Sequence, residues 1–160
     1  MKKRKSKFTN LIIDINDISC RYSFSVDKRD YTIKNQYDGF YEFFYLVLLG
    51  EIYSSENDNR LPKGHNVIIN LSSENDYGEN RCIGHSMRDC KKDLLEINID
   101  IPQRTFDNLV AVLTTGKFIK YICIKITRLS YNRASVYDIY IPNEEHSEKV
   151  KEKPYSGKIL

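Results

Sequence analysis

Four potential zinc ligands fall within one short stretch of the sequence. Cys82, His85 and Cys90 follow one another closely, and His65 precedes Cys82 by 17 positions. Tetrahedral zinc accepts two thiolates and two imidazoles, and short gaps allow one loop to present successive ligands to one ion. Zinc fingers and ribbons carry two tight ligand pairs, whereas only one tight pair occurs here. The spacing predicts either a zinc-binding module at these four residues or ordinary thiols and solvated histidines.

Local motifs that would indicate an enzyme are missing from the sequence. It contains no G-x-S-x-G nucleophile elbow, no Walker P-loop, no G-x-G-x-x-G fingerprint and no H-E-x-x-H pair. Nucleophilic catalysis needs a nucleophile, a base and a group that orients the base. Most sequences of this size contain residues of these three types, so their presence alone does not indicate an enzyme. The sequence thus gives no positive reason to expect catalysis, and we predict no catalytic residue.

A run of cations occupies the first seven positions. The formal charge of the whole chain is +3, and this run contributes +5, so residues 8–160 carry −2. Each Lys or Arg that meets a phosphate releases a counterion and adds salt-sensitive affinity. The run predicts either association with nucleic acid or a solvated tail. The residues that would bind a polyanion are Lys2, Lys3, Arg4, Lys5 and Lys7.

Tyrosine is abundant, with 12 copies, and several lie near turn signals. Exposed aromatic side chains often anchor protein interfaces, because they offer large contact areas at a low entropic cost. Polar loops at 54–64 and 72–90 are the natural places for such contacts. We therefore interpret the chain first as a module that binds another protein, and nucleic-acid association and zinc binding remain the alternatives. The expected partner-binding residues are Tyr53, Arg60, His65, Tyr77, Arg81 and Arg88.

The elements that would position these residues are mostly strands. Apolar and polar residues alternate over 18–26, 67–71 and 95–101, which is typical of strands with one buried face. Residues 40–53 and 118–126 are apolar on both faces, so we expect these two strands to be covered on both sides. On the same reasoning, the cysteines in the alternating and continuous segments, Cys20 and Cys123, are expected in the core.

One segment follows a helical period instead. Four apolar residues recur at positions i, i+3, i+4 and i+7, and Pro102 and Gly116 stand where a helix begins and ends. The pattern predicts a short amphipathic helix near 103–115. Its apolar face consists of Phe106, Leu109, Val110 and Leu113.

The predicted architecture is an antiparallel β-sandwich of about eight strands, or a flattened barrel, with this single helix. One domain is expected over 8–142, between a basic flexible arm at 1–7 and a charged flexible tail at 143–160. Apolar residues make up 41% of the chain, which excludes wholesale disorder. The longest apolar run, 43–49, is too short for a transmembrane helix, and no signal-peptide pattern occurs. We therefore expect a cytoplasmic protein without membrane contact.

Overall fold

The computed structural model describes residues 7–26, 40–74, 81–114 and 119–142. These residues form seven strands and one helix, and the predicted mainly β fold is confirmed. The strands are β1 (Phe8–Val26), β2 (Phe40–Ser55), β3 (Asn66–Ser73), β4 (Gly84–Asp89), β5 (Leu94–Ile101), β6 (Tyr121–Thr127) and β7 (Arg133–Tyr140). The helix, α1 (Gln103–Thr114), connects β5 to β6 and matches the segment predicted from the apolar spacing.

The sheet closes into a barrel in the order β1-β2-β3-β5-β4-β7-β6. Closure is completed by β6, which pairs antiparallel with the first half of β1 over Phe8–Asp14. Every other pair is also antiparallel, except that β3 and β5 run parallel. The described strands therefore form a closed barrel, in line with the barrel predicted as the alternative to a sandwich. Because the barrel is closed, none of its described strands is an edge strand along its barrel-forming part.

The core fills the barrel interior, as the period-two patterns predict. On β5, Leu95, Ile97 and Ile99 point inward and are at most 1% exposed. The expectation that β6 is covered on both sides is also met, because Tyr121 and Cys123 on its outer face are buried as well. Burial and the nearby charge of Asp138 raise the pKa of the Cys123 thiol to about 11, so this cysteine remains a neutral core residue.

The strands β1 and β2 extend beyond the end of the barrel. β1 pairs with β2 as far as Val26, whereas β2 pairs with β3 only from Leu46 onward. The two strands therefore continue as a two-stranded ribbon. Cys20 lies on β1 near this ribbon and is exposed, so its predicted place in the core is wrong. The alternating pattern here does not mark a buried face, because a two-stranded ribbon has no second layer to cover it.

Helix α1 closes the end of the barrel from which the ribbon leaves. Phe106 is 4% exposed, and Leu109, Val110 and Leu113 pack against the core cluster. Its apolar face therefore replaces water at the mouth of the barrel with packed side chains. No helix in the described part of the chain is long and apolar enough to cross a membrane.

Candidate functional site

The strand directions give the barrel two unlike ends. β1, β3, β5 and β7 begin at one end, where β2, β4 and β6 finish. This end carries Lys7 and three connections: the β2–β3 loop at 56–65, the β4–β5 turn at 90–93 and the β6–β7 turn at 128–132. The other end carries α1 and the β3–β4 connection. Charged side chains are distributed unequally between the two.

We call the first end the basic end and define it as residue 7 with residues 56–65, 88–93 and 128–133. It holds eight basic and four acidic residues, a net charge of +4; without Lys7 the charge is +3, although residues 8–160 as a whole sum to −2. The basic residues are Lys7, Arg60, Lys63, Arg88, Lys91, Lys92, Arg128 and Arg133, and the acidic ones are Glu56, Asp58, Asp89 and Asp93. Cations are therefore concentrated where the arm joins the barrel.

The arm and the loops of the basic end are tied together by hydrogen bonds. The Arg128 amide donates to the Lys7 carbonyl at 3.0 Å, and the Glu56 amide donates to the Asn10 carbonyl at 3.0 Å. The Arg88 amide donates to the carbonyl of Asn132 at 2.8 Å. Three connections distant in sequence thus form one surface, so that their cations can act on one ligand.

An ion pair between a buried carboxylate and a partly exposed guanidinium holds the longest of these loops. Asp58 is 5% exposed. Arg60 donates to its carboxylate from Nε and Nη2, both at 2.8 Å, and the same Nη2 donates to the Leu129 carbonyl at 2.8 Å. Burial alone would raise the pKa of Asp58, but the hydrogen bonds and the charge of Arg60 outweigh it and hold the pKa below 3.8. The pair joins the β2–β3 loop to the β6–β7 turn.

Replacing this carboxylate should weaken the fold in a pH-dependent way. At pH 7 we expect Asp58→Asn to lower the free energy of unfolding by about 1.5 kcal/mol, near the lower end for charge-assisted hydrogen bonds because the Arg60 side chain is 41% exposed. The lowered pKa of Asp58 means that its contribution is complete above pH 3.8 and is lost as the pH falls through the folded-state value. Urea unfolding at several pH values measures this.

The difference between Asp58→Asn and the unmodified protein should therefore shrink below pH 3.8. A difference that stays constant over the whole pH range would show that the amide disturbs packing and that the charge contributes nothing.

An exposed aromatic residue stands at the tip of the β6–β7 turn. Tyr131 is 97% exposed. Tyr131 and Asn132 both have left-handed backbones, with φ values of 50° and 62°. Two such residues in succession are typical of a type I′ hairpin turn, where Asn and Gly are preferred. A tyrosine costs about 1 kcal/mol in this conformation. The ring is therefore presented to solvent and is available for contact with another molecule.

A second group of aromatic and cationic side chains lies beside the basic end, on the outer face of the barrel. Phe8 meets Tyr137 edge to face with ring centroids 5.4 Å apart, and Lys125 Nζ lies 4.7 Å from the Phe8 ring. Lys63 Nζ lies 4.7 Å from the ring of Tyr53. Two lysine ammonium groups therefore lie over aromatic rings beside the basic end.

The six residues predicted as one partner-binding surface are divided by the fold. Arg60, His65 and Arg88 lie at the basic end, and Tyr53 borders it through Lys63. Arg81 precedes β4 and lies at the opposite end, while Tyr77 falls outside the described residues. Of the arm residues predicted to bind a polyanion, only Lys7 is described, and it is exposed. The remaining four, Lys2, Lys3, Arg4 and Lys5, fall outside the described residues.

Sequence analysis missed the contribution of Arg128 and Arg133. Both residues border the β6–β7 turn, and nothing in the sequence links that turn to Arg60 or Lys7. The link comes from β6 and β7, which bring the turn beside the β2–β3 loop.

The four predicted zinc ligands are not brought together. His65 is buried, Cys82 is half-buried ahead of β4, His85 is exposed on β4 and Cys90 is exposed in the next turn. Extended backbone rises ~3.3 Å per residue, which separates His85 from Cys90 by roughly 16 Å, too far for a shared ion with bonds of ~2.3 Å. No group of three or more His, Cys, Asp or Glu residues suited to a metal occurs within the described ranges.

His65 has a structural environment instead. Burial and the positive charge of Arg88 lower the pKa of His65, and Asp93 and the Leu94 backbone offset this only in part. The imidazole is therefore neutral at pH 7. It adds no charge to the basic end, and its Nε2 atom is buried without a hydrogen-bond partner.

A second surface lies at the opposite end, between α1 and the ribbon. This groove of about 550 Å³ is lined mainly by apolar side chains, including Tyr22, Phe44, Phe106 and Val110. Tyr22 is 61% exposed and Phe44 is 36% exposed. The Phe44 and Phe106 rings meet edge to face with centroids 5.6 Å apart. The barrel thus carries a cationic surface at one end and an aromatic one at the other.

Comparison of the chain with protein-family models, curated proteins and solved structures finds no match to any of them. The surfaces of the barrel itself are therefore the basis for inferring its function.

Proposed function

We propose that this protein is a non-enzymatic binding module that holds single-stranded nucleic acid at the basic end of its barrel. The observation that carries the proposal is the concentration of eight cations against four carboxylates at the end where Lys7 meets the barrel. Phosphate groups contribute most of the affinity in nucleic-acid complexes, and Lys and Arg side chains supply that contact.

The arm extends this cationic surface in the sequence. Lys2, Lys3, Arg4 and Lys5 directly precede Lys7, whose carbonyl accepts a hydrogen bond from the Arg128 amide. The polyanion-binding residues predicted from the sequence therefore lead, along the chain, directly to Lys7 of the basic end. Contacts between such cations and phosphates do not depend on the base sequence, which suits binding to a backbone of regularly spaced phosphates.

Exposed aromatic residues favour single strands over duplexes. Proteins that bind single strands combine cations that follow the phosphates with rings on which unpaired bases stack. Tyr131 presents such a ring, 97% exposed, between Arg128 and Arg133. A base inside a duplex offers no free face to a side chain, so the ring would be used only with unpaired bases. The proposal keeps the cytoplasmic location expected from the sequence, where such strands are available.

Fluorescence anisotropy with a labelled oligothymidine tests the proposal. The unmodified chain should bind, with an affinity that falls steeply between 50 and 200 mM salt, as counterion release requires. Stacking of one base on an aromatic ring contributes about 1 kcal/mol or more, so Tyr131→Ala should weaken binding by about fivefold.

Tyr131→Phe is the matched control, because it retains the ring and removes only the hydroxyl. It should bind as tightly as the unmodified chain. Absence of binding at 50 mM salt, or an affinity that does not change with salt, would contradict the proposal. Preference for a duplex of the same length would contradict the role of Tyr131.

The second candidate is the function that the sequence favoured, binding of another protein. The observation in its favour is the exposure of Tyr22 and Phe44 beside the groove under α1. Aromatic residues presented next to an apolar depression are frequent anchors of protein interfaces. Affinity capture distinguishes the two candidates, since a protein that depends on this groove would be lost with Tyr22→Ser and retained by Tyr131→Ala.

A further inference from the structure

A polar cleft lies within the basic end, between the β2–β3 loop and the β6–β7 turn. Its volume is about 350 Å³, and its lining consists of Asn57, Asp58, Asn59, Arg60 and Arg128. This is the lower part of the usual size range of small-ligand sites, and it is large enough for a phosphate group with its sugar. Among the described residues, no apolar side chain lines it.

The ionic contacts leave one charge in this cleft unpaired. The Asp58 carboxylate is engaged by the Nε and Nη2 atoms of Arg60, so these two charges compensate each other. Arg60 Nη2 also donates to the Leu129 carbonyl. Arg128 forms no ion pair with a described carboxylate, and its Nε atom is buried without a hydrogen-bond partner. A buried donor without an acceptor is unfavourable, so a ligand that accepts this hydrogen bond would recover that cost.

The remaining lining groups define the chemistry of the ligand. Asn57 and Asn59 bring amide groups that donate hydrogen bonds without adding negative charge. Asn57 also has a left-handed backbone, with a φ value of 66°. One uncompensated guanidinium beside neutral donors fits a singly charged oxyanion and opposes a cation.

Building on the proposed function, we infer that this cleft is the subsite for one phosphate group of the bound strand, held by Arg128. Arg60 and Asp58 shape the cleft but do not contact the phosphate through their paired atoms. Inorganic phosphate shares the chemistry of a phosphodiester and serves as the probe for the cleft alone.

Nuclear magnetic resonance of the arginine Nε–H groups tests the inference directly on the full chain. Inorganic phosphate should shift the Arg128 Nε–H signal saturably, and sodium chloride at equal ionic strength should not. No saturable shift would overturn the inference. A shift that is equally large at Arg104, which is exposed on α1 at the opposite end of the barrel, would also overturn it, because it would indicate an adventitious ion only.

Oligothymidine binding gives the second measurement. Removing one phosphate contact lowers the salt slope by about 0.7, which corresponds to a loss of about fivefold at 0.1 M salt for Arg128→Gln. Arg128→Lys keeps the charge but loses the Nε donor and the planar fork, and should give an intermediate affinity. Unchanged affinity in Arg128→Gln would overturn the inference while the proposed function stands. If the unmodified chain binds no oligonucleotide but phosphate still shifts Arg128, the proposed function fails and the phosphate subsite remains.

Discussion

Gly84→Ala is expected to destabilise the barrel by about 3 kcal/mol or more, measured by urea unfolding. Gly84 begins β4 and lies opposite Ile99 of β5. A Cβ atom at this position would lie 2.0 Å from the Asn98 carbonyl oxygen and 2.9 Å from the Ile99 Cα. Both neighbours are backbone atoms, so no change of rotamer relieves the contact. The strands would have to separate, which disturbs the packing of the surrounding core.

Ser86→Ala is the matched control for this substitution. Ser86 lies two residues farther along β4, on the same inward face, and is 3% exposed. Its Oγ atom is buried without a hydrogen-bond partner, so removing it costs no hydrogen bond. We expect the free energy of unfolding to change by less than about 0.5 kcal/mol or to rise. Equal losses in the two variants would show that any change in β4 is disruptive and that the contact at Gly84 is not the cause.

The local elements could be predicted because their patterns depend on neighbouring residues alone. The alternation in β3 and β5 follows from one buried face, and the α1 spacing follows from packing one side of a helix on the core. Pro102 directly precedes the helix, where the fixed backbone of proline favours a helix start, whereas Gly116 falls outside the described residues. These features require no knowledge of what packs on the other side.

Barrel closure and strand direction could not be predicted in the same way. Closure depends on pairing between Phe8–Asp14 and β6, which lie more than 100 residues apart. The alternation in the second half of β1 resembles a buried strand, yet Cys20 is exposed because only β2 accompanies it there. The parallel pairing of β3 and β5 has no local signature either, and it places the β2–β3 loop beside the β4–β5 turn.

Part of the candidate site could be predicted from the sequence, because some of its cations lie in segments with a recognisable local pattern. Arg60 and Arg88 lie near predicted polar connections, and the run ending at Lys7 is visible as a block of charge. The gathering of Arg128 and Arg133 with them depends on topology. A charge of −2 for residues 8–160 conceals the basic end, because a sum over the sequence carries no information about position. The predicted zinc ligands His85 and Cys90 lie far apart because the extended strand β4 runs from His85 toward Cys90.

The largest effect on binding is expected from removing three exposed cations of the basic end together. Lys91, Lys92 and Arg133 are exposed, so their replacement by glutamine leaves the core intact. If each contacts one phosphate, the slope of log affinity against log salt should fall by about 2, which is a loss of roughly 100-fold at 0.1 M salt. Fluorescence anisotropy with oligothymidine over a range of salt concentrations measures both quantities.

A triple variant at the opposite end has the same net charge and provides the control. Arg21, Arg81 and Arg104 are exposed and lie outside the basic end, so their replacement by glutamine removes three positive charges as well. Net charge alone would weaken binding equally in both variants, whereas the proposed site predicts a large loss only in the first. A chain that begins at Phe8 tests the remaining alternative. If that truncation abolishes binding while Lys91, Lys92 and Arg133 prove dispensable, the strand is held by the arm, and the basic end of the barrel is not the binding surface.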